Sequence, residues 1–206
     1  MISSLVAVFV AGAIASPSDS DLAGSGAPDS VTRNLVSIEV SYRGDDGFRH
    51  KGRIVCHKAA ARDLADLFDT IQRSAFPLRS VQPVSRFENS DSLSMLADNT
   101  SAFNWRSVKG TTRLSSHALG LAIDINPLRN PFAHRTGNRP AGAVRDPRVA
   151  GTLSDTSLVV RFLRHRGWIW GGRWPSGRDW QHFELPLSAA RSRSDQERRS
   201  TSRTKL

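Results

Sequence analysis

The chain has 206 residues, a net charge of +10 and a single cysteine. That length fits one domain with tails, large enough to fold around its own core without disulfide staples. The lone Cys56 excludes an intrachain disulfide and a cysteine-rich zinc site, and the basic balance allows nucleic acid, an anionic membrane or an anionic wall polymer as partner.

Residues 1–15 read as a signal peptide: Leu5 to Ala15 is apolar, too short to span a bilayer as a stable helix, and Ala13-Ile14-Ala15 is a small-x-small pattern ahead of Ser16 and Pro17. No Lys or Arg precedes the apolar run, so a mis-set start or an uncleaved anchor are the alternatives. Export implies a secreted or wall-associated protein with no membrane span in its mature form. Residues 16–34, rich in Ser, Asp, Gly, Ala and Pro, read as a flexible linker.

The body, residues 35–187, mixes elements. LVSIEVSYR alternates as a half-buried strand does, Gly44-Asp45-Asp46-Gly47 is a turn, and FRHKGRIVCH returns as the second strand of a hairpin. Cys56, inside that apolar run, reads as a small buried residue rather than a reactive thiol. In KAAARDLADLFDTIQRSAF, Leu64, Leu67, Phe68 and Ile71 fall at i, i+3, i+4, i+7, which predicts an amphipathic helix ended by Pro77. LRSVQPVSRF is a short extended segment, Ser94 to Asn104 is loop with some helix, and LAIDIN is a strand. Asn126 to Pro147 reads as a long loop, and Ser154 to His165 as a second amphipathic helix with Leu158, Phe162 and His165 near one face. A Trp- and Gly-rich turn then leads into a last strand, HFELP. Residues 188–206 form a basic tail, expected to be disordered; it could hold the protein on an anionic surface or be merely solvated. With no internal repeat and no regular βαβ alternation, the pattern is α+β, a small antiparallel sheet flanked by helices, expected to act as a monomer. No RNA-binding aromatic motif, helix-turn-helix or zinc finger accompanies the charge, so nucleic acid is not an expected partner.

Two stretches carry chemistry. SSHALGLAIDINP holds His117 and Asp124, and GRDWQHFELP holds Asp179, His182 and Glu184. A catalytic zinc takes three protein ligands and leaves one position for water, and His117, Asp124 and His182 would supply two nitrogens and one oxygen. Gly120 allows a tight turn after His117, and the small Ala122 allows close packing behind the site. Asp179 is the candidate base. On a regular strand it would face away from His182, so an irregular turn through Trp180 and Gln181 is expected. Glu184 would share the face of His182 and accept its ring N–H, or else pair with an arginine. The Trp residues between Trp168 and Trp180 could wall a groove or pack around the last strand.

Ser115-x-His117-x-x-Gly120-x-Ala122-x-Asp124 resembles the S-x-H-x-x-G-x-A-x-D motif of the M15 zinc peptidases, and Asp179-x-x-His182 resembles the acidic-x-x-His element of that family. These are D-alanyl-D-alanine carboxypeptidases, D,D-dipeptidases and L-alanyl-D-glutamate endopeptidases. The Asp form of the second element is like the endopeptidase branch, as is GWIWGGRW before it, while ADNTSAFNWR and FPLRSVQPVSRF look like parts of one bacterial subfamily. The resemblance spans Leu35 to Leu187. It implies the Hedgehog/DD-peptidase fold, with Zn²⁺ bound by His117, Asp124 and His182 and Asp179 as general base. It also implies an oxyanion-stabilising arginine upstream of the first ligand, for which Arg106 in FNWR is the candidate and the nearer Arg113 the alternative, with Ser116 placed to contact substrate. Peptidoglycan stem peptides are the implied substrate, and a non-catalytic zinc-binding module of the same fold is the alternative.

Overall fold

The structure, a computed structural model, describes residues 13–203. The expected signal peptide therefore lies outside the described residues except for its last three positions, of which Ile14–Ala15 form a short strand, β1. Two one-turn helices follow, α1 (Asp19–Leu22) and α2 (Asp29–Thr32). The alternating segments form a long hairpin of β2 (Leu35–Arg43) and β3 (Arg49–His57), in register from Leu35 opposite His57 to Arg43 opposite Arg49. β1 adds to its edge, Ile14 opposite Ile38.

His57 ends β3 and begins α3 (Lys58–Gln72): its Nδ1 accepts the Ala59 N–H at 3.0 Å, capping one of the free donors of the first turn. The expected stripe of Leu64, Leu67, Phe68 and Ile71 is buried in the main core, with Ile38, Val40 and Ile54 of the hairpin in the same cluster. Each such side chain contributes roughly 1.5–3 kcal/mol on leaving water. Beyond Pro77 come β4 (Ser80–Val81), a 3₁₀ turn at Val84–Phe87, α4 (Asp91–Leu96) and β5 (Asn99–Thr100), which pairs in parallel with β4. LRSVQPVSRF is thus extended only in its first half.

A 3₁₀ turn at Ser116–Leu119 leads into β6 (Ala122–Asp124). The long loop contains its own small hairpin, β7 (Phe132–His134) and β8 (Gly137–Arg139). Then follow α5 (Leu158–His165), β9 (Ile169–Trp170), a 3₁₀ turn at Gly171–Arg173, β10 (His182–Glu184) and α6 (Leu187–Arg203). β10 runs antiparallel between β6 and β9. Small, mainly antiparallel sheets flanked by helices make this the α+β architecture expected. No helix among the described residues is long and apolar enough to cross a membrane.

Three expectations need correction. The face of α5 turned to the core is Val159, Val160 and Leu163, while Leu158 and Phe162 are half-buried and His165 is exposed. Phe162 packs at the edge of the main core, and a face of its ring is covered by the guanidinium of Arg166, 4.4 Å from the ring centre. Residues 16–34 are a packed strap rather than a flexible linker. Leu22, Ala27 and Val31 lie against Leu35, Val55 and Phe103. Asp21, 5% exposed, pairs with Arg53 at 3.3 Å, and Asn89 Nδ2 donates to Ala23 O at 2.8 Å. The tail is likewise helical where it was expected to be disordered. Ala190 is buried, and Arg193 donates to Asp63 Oδ2 at 2.6 Å, Ala59 O at 3.1 Å and Arg166 O at 2.9 Å.

Candidate metal centre and active site

The register of β6 against β10 sets Asp124 directly opposite His182. Directly opposed residues share a face of the sheet, which brings these two side chains together although 58 positions separate them in the chain. His117 arrives from the adjoining 3₁₀ turn. Ser115 Oγ accepts the His117 N–H at 3.3 Å and so caps that turn, and Gly120 ends it with φ +67°. Glycine is required there twice over: the conformation is left-handed, and a Cβ would stand 2.5 Å from His57 N. The Gly120 carbonyl in turn accepts the His57 N–H at 2.9 Å, tying the turn to the end of β3.

The three donor atoms form a nearly equilateral triangle. His117 Nε2 lies 3.1 Å from His182 Nδ1 and 3.3 Å from Asp124 Oδ1, and His182 Nδ1 lies 3.1 Å from Asp124 Oδ1. Donors at about 2.0–2.1 Å from a tetrahedral ion stand about 3.3–3.4 Å apart, so the triangle has the size of one face of a zinc site. Both rings are oriented for it. His117 Nδ1 donates to Ala102 O at 2.7 Å, which leaves the Nε2 lone pair turned inward. His182 Nε2 faces Glu184 Oε2 at 3.6 Å, and Glu184 is itself fixed by the Ser116 hydroxyl, which donates to the same oxygen at 2.6 Å. Glu184 thus stands beside the ring of His182 as expected, and Ser116 is engaged with Glu184.

The electrostatics favour a cation at this point. Burial pushes the Asp124 carboxyl up, but His117 and His182 outweigh it and hold the group well below the carboxylate range. Burial opposes charge on His182, yet hydrogen bonding to Asp124 and Glu184 raises it to about 10. His182 and Ser116 bring Glu184 down to about 2 against the effect of its burial.

Asp179 joins the same cavity, a space of about 510 Å³ that all three donor residues line. The irregular turn is present: the His182 N–H reaches back to Asp179 O at 3.4 Å, with Trp180 and Gln181 forming the bend. Two neighbours hold the turn. The Asp179 N–H donates to Gly171 O at 3.0 Å, and Phe132 of β7 is bridged to Asp179. Asp179 Oδ1 is buried with no hydrogen-bond partner. Burial first, and the charge of Asp124 second, push this carboxyl up to about 6, against the opposing pull of His182 and Gln181.

Arg106 and Arg113 both line the cavity, at opposite ends of a hairpin-like loop joined by Ser115 N–H to Arg106 O at 3.1 Å and Val108 N–H to Arg113 O at 2.8 Å. Arg106 is half-buried. One of its terminal nitrogens pairs with Asp91 at 3.0 Å, and its buried Nε has no partner. Arg113 is exposed. The tryptophans divide between the two readings. Trp168 and Trp170 are buried, Trp170 stacking on Phe183 with ring centres 6.1 Å apart, whereas Trp174 lines the cavity with its ring 5.4 Å from that of His182. Cys56 is fully buried, and burial pushes its thiol far up, as an inert core residue requires.

Sequence reasoning missed Gly171, Asp91 and Arg139, and gave Gln181 a place only in the turn. Gly171 shows itself only through the close approach of the Asp179 turn, and Asp91 only as the partner of Arg106. Gln181 Oε1 is buried and unpartnered.

Residues 109–185 match the family model described as D-alanyl-D-alanine carboxypeptidase, one of the M15 peptidases. Neither a curated protein nor a solved structure matches the chain. The matched segment contains the three donors, Asp179 and Arg113, and leaves Arg106 just outside. That match, with the buried His–Asp–His group inside it, supports a peptidase of the M15 type in residues 109–185.

Proposed function

We propose that the protein is a zinc-dependent peptidase that cuts the stem peptides of peptidoglycan, of the D-Ala-D-Ala carboxypeptidase or L-Ala-D-Glu endopeptidase type. The observation that carries this reading is a buried carboxylate oxygen without a hydrogen-bond partner, Asp179 Oδ1, beside a donor triangle of zinc dimensions. His117, Asp124 and His182 would hold the ion, which when bound supplies a Lewis acid and makes an adjacent water acidic enough to act near neutral pH.

The remaining work falls to this chain's own groups. Asp179, raised to about 6, takes a proton from the attacking water and later passes it to the leaving amine. Arg106, steadied by Asp91, offers its guanidinium to the oxygen that becomes negative as the carbonyl is attacked. Ser116 and Glu184 hold the His182 ring in place. Trp174 and Phe132 shield the cavity from water on its apolar side. A non-catalytic zinc module of the same fold would have no use for a buried, unpartnered base. The net charge of +10 and the expected export suit an anionic wall, although Arg193 of the basic tail is already engaged inside the fold.

Mass spectrometry of purified peptidoglycan after digestion, with and without a chelator, tests the reading. Chelator-sensitive loss of D-Ala, or release of L-Ala-terminated fragments, is the expected result. Asp179→Ala should retain zinc and lose about 10²–10⁴ in turnover, while His117→Ala should lose the zinc itself. Normal hydrolysis by Asp179→Ala, or full zinc occupancy in His117→Ala, refutes the assignment.

A further inference from the structure

Two strands and a bridged residue of a third segment lie side by side at one edge of the cavity. Arg139 of β8 is the register partner of Phe132 of β7, and Phe132 is bridged on its other side to Asp179. Directly opposed residues turn their side chains to one face, and Asp179, Phe132 and Arg139 all line the cavity. Neighbouring strands are about 4.8 Å apart, so the Arg139 backbone stands roughly 10 Å from that of Asp179.

The charge of Arg139 is unanswered. It is half-buried, and among the described residues no carboxylate lies within ion-pair distance of it. The four acidic residues of the cavity are otherwise accounted for. Asp91 holds Arg106, Asp124 faces both histidines, Glu184 takes Ser116 and His182, and Asp179 is the base. Lys109 and Arg113 are exposed on the 107–114 loop, where water screens them. A guanidinium drawn partly out of water with no anion is costly, and its planar fork matches a carboxylate in two parallel hydrogen bonds.

We propose that Arg139 binds a carboxylate of the substrate, one or two residues from the scissile bond. The proposal rests on the peptidase reading, and the distance follows from the strand spacing. An extended peptide advances about 3.3–3.6 Å per residue, and the reach of the arginine side chain takes up part of the roughly 10 Å between the two backbones. A stem peptide carries two candidate groups, its terminal carboxylate and the α-carboxylate of D-glutamate.

The test measures binding by calorimetry to the zinc-loaded protein carrying Asp179→Ala, which stops turnover, with and without Arg139→Gln. The probes are L-Ala-γ-D-Glu-L-Lys-D-Ala-D-Ala, its C-terminal amide, and its D-isoglutamine form. The acid should bind about 10- to 100-fold more tightly than one of the two amides, and Arg139→Gln should erase that preference. Arg139→Lys, which keeps the charge without the fork, should retain part of it and guards against a folding artefact. Whichever amide loses affinity identifies the carboxylate. Equal binding of all three probes, or a preference that survives Arg139→Gln, overturns the proposal. Hydrolysis by the otherwise native chain separates it from the peptidase reading: an Arg139-dependent preference without hydrolysis sinks only the latter, and hydrolysis without the preference sinks only the former.

Discussion

Gly171→Ala adds one methyl group behind the catalytic turn, and its effect can be worked out from distances. A Cβ at Gly171 would stand 2.7 Å from Asp179 O, 3.0 Å from Asp179 Cβ and 3.4 Å from His182 Cβ. Ordinary contacts of carbon with oxygen or carbon begin at about 3.3–3.5 Å, so the backbone at Asp179 must retreat by roughly 0.5 Å and His182 hardly at all. Asp179, the proposed base, therefore moves more than His182, a proposed metal donor. A misplacement of about 1 Å costs roughly 100-fold in rate, so kcat should fall about 10- to 100-fold while zinc affinity changes far less. Overpacking of this kind costs about 1–3 kcal/mol, which in a chain of this length lowers Tm by about 2–12 °C. Stem-peptide hydrolysis at saturating zinc gives kcat, competition against a chromophoric chelator gives zinc affinity, and circular dichroism gives Tm. A Gly171→Ala protein with native kcat would refute the view that close packing at Gly171 sets the position of the base.

Glu184→Gln removes the carboxylate behind His182 and should weaken zinc binding about 10- to 100-fold, read by the same competition; unchanged affinity means that Glu184 does not orient the ligand. Asp63, 5% exposed, takes hydrogen bonds from Arg193 at 2.6 Å, Trp168 at 2.7 Å and Arg166 at 3.1 Å, so Asp63→Ala should cost about 3 kcal/mol and open α6 to trypsin. Unaltered proteolysis would show that α6 is held by other contacts. For Asp21, burial raises the carboxyl, but hydrogen bonds from Ser18 and pairing with Arg53 outweigh it and leave the folded value below the ordinary 3.8. The stabilisation is thus complete above about pH 4 and is lost as pH falls through the lower folded value. Relative to the intrinsic exchange rate at each pH, protection of the 16–34 strap should fall below that range in the native chain, and in Asp21→Asn it should be alike on both sides of it.

What could be read from the sequence was what depends on neighbours in the chain. The β2–β3 hairpin and α3 announced themselves because a two-residue or 3.6-residue period is a local property. Of the candidate donors, His117 and Asp124 were legible together because they lie in one motif, and strand parity alone required a bend between Asp179 and His182. The strap and the tail were misread because composition measures how many apolar residues a segment has, whereas anchoring depends on where a few of them land. Leu22, Ala27 and Val31 anchor the strap, and the partners that fix Asp21 and Arg193, Arg53 and Asp63, lie far off in sequence. In α5 a plausible stripe lay one position away from the one that is buried, a small angular error that only the packing partners resolve. Gly171 and Arg139 had no local signature, since each matters through a strand that arrives from elsewhere.

On the proposed reading, the pairing of Asp124 with His182 would also set when the protein could first act on a cell wall. Two of the three donors meet only when β10 has docked on β6, and β10 is close to the last of the described elements. A chain emerging from a ribosome or a translocation channel carries His117 and Asp124 long before His182, and that fragment has no triangle in which to capture an ion. If the proposed function holds, hydrolytic competence would be withheld from the nascent chain by the order of its own sequence.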